Sequence, residues 1–164
     1  MALWQFDLHC LPSVAVVERL GQIPLTMKRG DFDNVTWWRC VAQPADIASQ
    51  FDRFLPRMSS WSPKITTWGE EDGNRIDLVT SGLGIKDIFV RIDVRNLDYK
   101  FLLALIRCTD ANKWVFLTQE SYVLGPSLSK LLSAIRRSDS FRFVTDPEEF
   151  LRKLKASGDS DYDS

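Results

Sequence analysis

Between Trp68 and Asn96 the chain reads W-G-E-E-D-G-N-R-I-D-L-V-T-S-G-L-G-I-K-D-I-F-V-R-I-D-V-R-N, and this stretch constrains the fold more than any other. Ile76 and Leu78 alternate with Arg75 and Asp77, and Ile88, Val90, Ile92 and Val94 alternate with Phe89, Arg91, Asp93 and Arg95. A period of two belongs to strands with one face on a core and the other in water. Residues 80–85, with Gly82 and Gly84, supply the turn of a hairpin. Setting Ile76 against Ile92 and Leu78 against Val90 keeps one face wholly aliphatic. That register also places Arg75 opposite Asp93, Asp77 opposite Arg91 and Val79 opposite Phe89. Each opposite-charge pair is worth a few tenths to about 1 kcal/mol, whereas a two-residue slip sets Arg75 against Arg91.

The rest of the chain arranges itself around this hairpin. Residues 3–10 alternate and predict a strand ended by Pro12, and Ser13 caps a helix over 14–20 closed by Gly21. Residues 22–34 read as a loop, and 35–41 as a short strand or the start of the next helix. Pro44 opens a helix whose apolar positions are Ile47, Phe51, Phe54 and Leu55. A strand at 64–68 and a turn at 69–73 complete a three-stranded antiparallel meander. Asp98 or Asn96 caps a second long helix with Phe101, Leu102, Leu105 and Ile106 inward. A strand at 114–117 runs on to 122–124, and a helix begins at Ser127. Residues 141–145 read as extended, and Asp146-Pro147-Glu148-Glu149 starts a last helix ending near Lys155. The predicted architecture is α+β: a mainly antiparallel sheet with a central meander and helices packed on one face. Residues 1–156 form a single domain, and 157–164 a disordered acidic tail.

Composition narrows the function. With 45% hydrophobic residues, six Trp and ten Phe in 164 residues, the chain can bury a sizeable core. A net charge of −1 argues against a phosphate-backbone binder and so against a nucleic-acid partner. No apolar run is long enough for a membrane span, and the opening residues lead us to expect no signal peptide. Cys10, Cys40 and Cys108 are far apart, as expected of reduced thiols in a cytoplasmic protein, with Cys108, on a helix, the slowest to react.

No catalytic, cofactor or metal motif stands out. His9 is the lone histidine; beside Cys10 on a strand it points to the opposite face and makes no dyad with it. Metal ligands at productive spacing are missing, and Gly82 and Gly84 precede no helix and are turn residues. Glu70, Glu71 and Asp72 read first as a solvated acidic hairpin tip, and otherwise as a cation or acid–base group or as rim contacts for a basic partner. Trp37, Trp38, Trp61 and Trp68 are candidate contact residues, Trp being enriched at binding hot spots. If Trp37 and Trp38 sit on a strand, one of them is exposed or in a second layer.

Several strings occur together: T-W-W at 36–38, L-P-R at 55–57, S-W-S at 60–62, W-G-x-x-D-G-N-R-I at 68–76, R-I-D at 91–93 and F-x-x-D-P-x-x-F-L at 143–151. In these the chain resembles a group of small bacterial proteins similar to the immunity proteins encoded beside polymorphic or contact-dependent toxins. The resemblance covers most of residues 35–155. It implies a non-enzymatic protein that neutralises a cognate toxin domain by occlusion. The alternative is a ligand-binding or enzymatic domain using the polar sheet face, with Arg75, Asp77, Arg91 and Asp93.

Overall fold

The computed structural model describes residues 2–158. In chain order the elements are β1 (Gln5–Pro12), α1 (Ser13–Leu20), α2 (Arg29–Asp33), α3 (Ile47–Asp52), β2 (Arg57–Met58), β3 (Ile65–Gly69) and β4 (Arg75–Ser81). They continue with β5 (Gly84–Asp93), α4 (Tyr99–Ala111), β6 (Trp114–Thr118), β7 (Val123–Leu124), α5 (Leu128–Arg137), α6 (Asp139–Thr145) and α7 (Pro147–Gly158). The strands form one antiparallel sheet in the order β2-β3-β4-β5-β1-β6-β7. The fold is α+β, and β3, β4 and β5 make the expected meander.

Alternation sorts the sheet into two faces. Phe6, Leu8 and Cys10 of β1, Ile76 and Leu78 of β4, Ile88, Val90 and Ile92 of β5, and Phe116 of β6 are buried together. On this face Phe51 of α3 meets Trp68 edge-on at 5.2 Å, and Phe54 just after α3 meets Phe101 of α4 at 6.2 Å. Burying each such side chain stabilises by about 1.5–3 kcal/mol. The opposite face carries Asp7, His9, Asp77, Phe89 and Arg91. There α2 brings Phe32 to 4.6 Å from the His9 ring.

The hairpin register differs from the charge-paired one. Arg75 lies opposite Arg91, Ile76 opposite Val90, Asp77 opposite Phe89 and Leu78 opposite Ile88. A shift of two residues leaves the same side chains on the same face, so burial does not distinguish the registers. The turn does. Ser81 pairs with Gly84, leaving only Gly82 and Leu83 between the strands, and Gly84 takes φ +102°. A bulge follows: Val79 pairs with Asp87 but Thr80 with Ile85, so Lys86 has no counterpart. The bulge turns both Ile85 and Ile88 inward despite their odd spacing. The cations find carboxylates elsewhere: Arg75 on Asp77 at 3.0 Å, Arg91 on Asp7 at 3.1 Å, Arg95 on Asp93 at 2.8 Å.

Other boundaries moved for local reasons. Residues 35–41 form turns and not a strand. The loop expected at 22–34 contains α2, and the expected extended segment 141–145 is helical in α6, whose first turn is capped by Ser138 Oγ accepting from the Phe141 N–H at 3.2 Å. Asp98, and not Asn96, caps α4 by accepting from the Lys100 and Phe101 N–H groups. The helix expected from Ser127 begins at Leu128, and Ser127 caps it by accepting from the Lys130 N–H; Asp146 accepts from the Glu149 N–H at 2.9 Å. Ser13 begins α1 without capping it. Of the expected tail, Ser157 and Gly158 belong to α7, and residues 159–164 lie outside the described residues. Among the described residues no helix is long and apolar enough to cross a membrane.

All three cysteines are free thiols, but their order of burial is not the expected one. Cys10 is the most enclosed, and burial pushes its thiol well above the ordinary range. Burial likewise raises the Cys108 thiol to about 11, and Cys40 is exposed. Because the thiolate is the reacting species, a maleimide time course followed by peptide mass analysis should modify Cys40 first and Cys10 last. Modification of Cys10 ahead of Cys108 in the folded protein would contradict this packing.

Candidate functional site

The candidate contact residues separate by burial. Trp37 is buried and its Nε1–H donates to the Phe32 carbonyl at 3.2 Å. Trp38 is buried edge-on against Trp114 at 5.3 Å, with Gln43 tying its carbonyl to the Ile85 N–H. On a turn, unlike a strand, two adjacent indoles can both reach the interior. Trp68 is fully buried, and its Nε1–H donates to Asp52 Oδ1 at 2.8 Å. These three Trp are core residues and offer a partner no surface. Trp61, by contrast, is 82% exposed.

The Trp61 loop is braced by its own hydroxyls. Ser60 Oγ donates to the Ser62 carbonyl at 3.1 Å and accepts from the Ser62 N–H, while Ser62 Oγ accepts from the Lys64 N–H at 3.2 Å. Such local side-chain to backbone bonds stabilise turns. Pro63 restricts the loop further.

The acidic turn is equally defined. Gly69 takes φ +101°, and a Cβ there would collide with the Asn74 carbonyl. The Glu70 N–H donates to that carbonyl at 3.0 Å, and Asn74 Oδ1 accepts from the Asp93 N–H. Arg95 Nη2 donates to the Asp72 carbonyl at 2.7 Å and the guanidinium lies 4.6 Å over the Trp4 ring. Glu70, Glu71 and Asp72 are exposed, and no ion pair holds their carboxylates among the described residues. Trp61 precedes β3 and the acidic turn follows it, so the two stand at opposite ends of that strand, separated by about 17 Å for five extended residues.

On the polar face of the sheet the charges are already matched. Asp77 accepts from Arg75 Nε at 3.0 Å and from Thr67 Oγ1 at 2.7 Å. Asp93 is opposed by burial, which raises its pKa, but side-chain and backbone hydrogen bonds from Arg95 outweigh this and hold it below the usual carboxylate range. Toward β1 lies a cleft of about 340 Å³. Its floor is Asp7, His9, Phe89, Arg91 and Leu117, and Met27 and Phe32 overhang it. His9 Nδ1 sits 3.1 Å from both oxygens of Asp87. Of the four residues expected on this face, Arg91 lines the cleft, while Arg75, Asp77 and Asp93 lie outside it.

Asp7, His9 and Gln119 were not singled out together from sequence. Alternation along β1 places Asp7 and His9 on the polar face, but only the insertion of β1 between β5 and β6 brings them to Arg91 and Gln119. Among the described residues no group of three or more His, Cys, Asp or Glu is placed to hold a metal ion. In comparison with known proteins, the chain matches no family model, no curated protein and no solved structure.

Proposed function

We propose that this protein is an immunity-type binding protein that occludes a cognate toxin domain, using the Trp61 loop as its anchor. The observation that carries this reading is the 82% exposure of Trp61 on a loop stiffened by Ser60 and Ser62. Of the six Trp in the chain, this is the one placed in solvent. A large side chain held in position loses little entropy when a partner covers it, which is how preorganised anchors gain affinity. The acidic turn at the far end of β3 serves as a rim. A standard interface covers about 800 Å² per partner and spans both. The resemblance of the S-W-S and W-G-x-x-D-G-N-R-I strings to those of immunity-like proteins supports the choice of partner class.

Co-expression with the product of the adjacent gene decides the matter: that product is expected to be toxic alone and harmless with this protein. A product that is harmless alone, or one that stays lethal beside abundant folded protein, overturns the proposal. With a partner in hand, Trp61→Ala is expected to cost about 2 kcal/mol or more of affinity. Its thermal stability should stay within about 0.5 kcal/mol of the parent. Replacing Glu70, Glu71 and Asp72 with Ser should slow association at low salt and leave dissociation nearly unchanged.

A further inference from the structure

The cleft on the polar face is independent of the Trp61 surface, and its chemistry is specific. Asp7 uses Oδ1 on Arg91 Nε at 3.1 Å, and among the described residues no hydrogen bond reaches its Oδ2. Arg91 spends only Nε on that bond, which leaves both Nη groups as donors. His9 commits Nδ1 to Asp87, which leaves Nε2. Gln119 Oε1 is buried with no hydrogen-bond partner among the described residues, a condition that is unfavourable unless a donor arrives. The cleft thus presents one open acceptor, Asp7 Oδ2, and a set of donors on Arg91 and His9, with a second acceptor, Gln119 Oε1, closed off in its wall. Met27, Phe32 and Leu117 supply an apolar wall, and the volume falls in the range of small-molecule sites.

We propose that this cleft binds a small zwitterion, namely a free α-amino acid with an apolar side chain. The ammonium group meets Asp7 Oδ2 and, by opening the wall, Gln119 Oε1, the carboxylate meets the Arg91 Nη groups and His9 Nε2, and the side chain lies against Met27, Phe32 and Leu117. A plain anion is opposed by Asp7, and a plain cation by Arg91 and by Arg29 at the rim. A nucleobase lacks a stacking platform, because His9 packs on Phe32 at 4.6 Å and on Phe89 at 5.3 Å, and Arg91 covers the Phe89 ring at 5.5 Å.

The test is calorimetric titration and thermal shift of the full chain with leucine, with 4-methylpentanoate, which lacks the ammonium, and with isoamylamine, which lacks the carboxylate. Cytidine and guanosine serve as further probes. Leucine is expected to raise the unfolding midpoint at about 10 mM, and each analogue to bind at least about tenfold more weakly. Gln119→Leu removes the buried orphan oxygen and is expected to leave the free protein as stable or more stable while weakening leucine about tenfold or more. The proposal is overturned if leucine gives no shift, if either analogue or a nucleoside binds as well as leucine, or if Gln119→Leu binds leucine like the parent. None of these results depends on a protein partner.

Discussion

Trp68→Ala is expected to destabilise the protein by about 3–5 kcal/mol, a large share of the stability of a domain this size. Trp68 is fully buried between Phe51 of α3 and the sheet, opposite Ile76 on β4. Truncation removes its transfer energy and leaves a cavity whose walls belong to strands and close only partly. Urea unfolding should show a lowered midpoint with an unchanged slope. A loss below about 1 kcal/mol would show that the indole is not a core element. Trp68→Phe separates packing from the hydrogen bond to Asp52, whose other partner is Arg57 at 2.7 Å. The Arg57 hydrogen bond, and after it the Trp68 bond, hold the Asp52 carboxyl below its ordinary value. A carboxyl with a lowered folded pKa contributes stability that is present above its unfolded pKa and is lost as pH falls through the folded one. Trp68→Phe should therefore flatten the acid limb of the stability profile relative to the parent.

Arg91→Met is expected to cost about 3 kcal/mol, for an electrostatic reason. The Asp7 side chain is 8% exposed and Arg91 Nε is its ion-pair partner. Removing the cation leaves a buried carboxylate, which typically costs about 3–5 kcal/mol; the lower end applies because Asp7 Oδ2 opens on the cleft. Asp7→Leu combined with Arg91→Met should recover most of the loss, since an apolar pair of similar size is often as stable as the buried ion pair it replaces. A double variant no more stable than Arg91→Met alone would place the cost in lost packing of Arg91 over Phe89 and not in the unpaired charge.

The elements whose order follows from period and caps were legible in the sequence. Asp98 before α4, Ser127 before α5 and Asp146-Pro147 before α7 are signals contained within four or five residues, and the structure uses each one. The alternation from Ile76 to Val94 assigned inward and outward faces correctly, because a shift of two residues cannot exchange them. That same property hid the register. Charge pairing favoured Arg75 opposite Asp93, but a two-residue turn at Gly82 and Leu83 and a bulge at Lys86 placed Arg75 opposite Arg91. The cost of that opposition is met by Asp77, next but one in the same strand, and by Asp7 on a strand more than eighty residues away in the chain.

Of the candidate contact residues, Trp61 and the acidic turn are exposed, and Trp37, Trp38 and Trp68 are buried. Residue type says only that an indole seeks partners; whether these are the protein's own is settled by packing. By itself the sequence determined the α+β class, the meander, the faces of its strands and the Asp146 cap before the last helix, since these depend on side chains close together in the chain. Only the tertiary structure decided that β1 lies between β5 and β6, and with it the cleft where Asp7, His9, Arg91 and Gln119 meet. Pairing between strands so distant in sequence rests on the summed burial of a whole face, which no local pattern records.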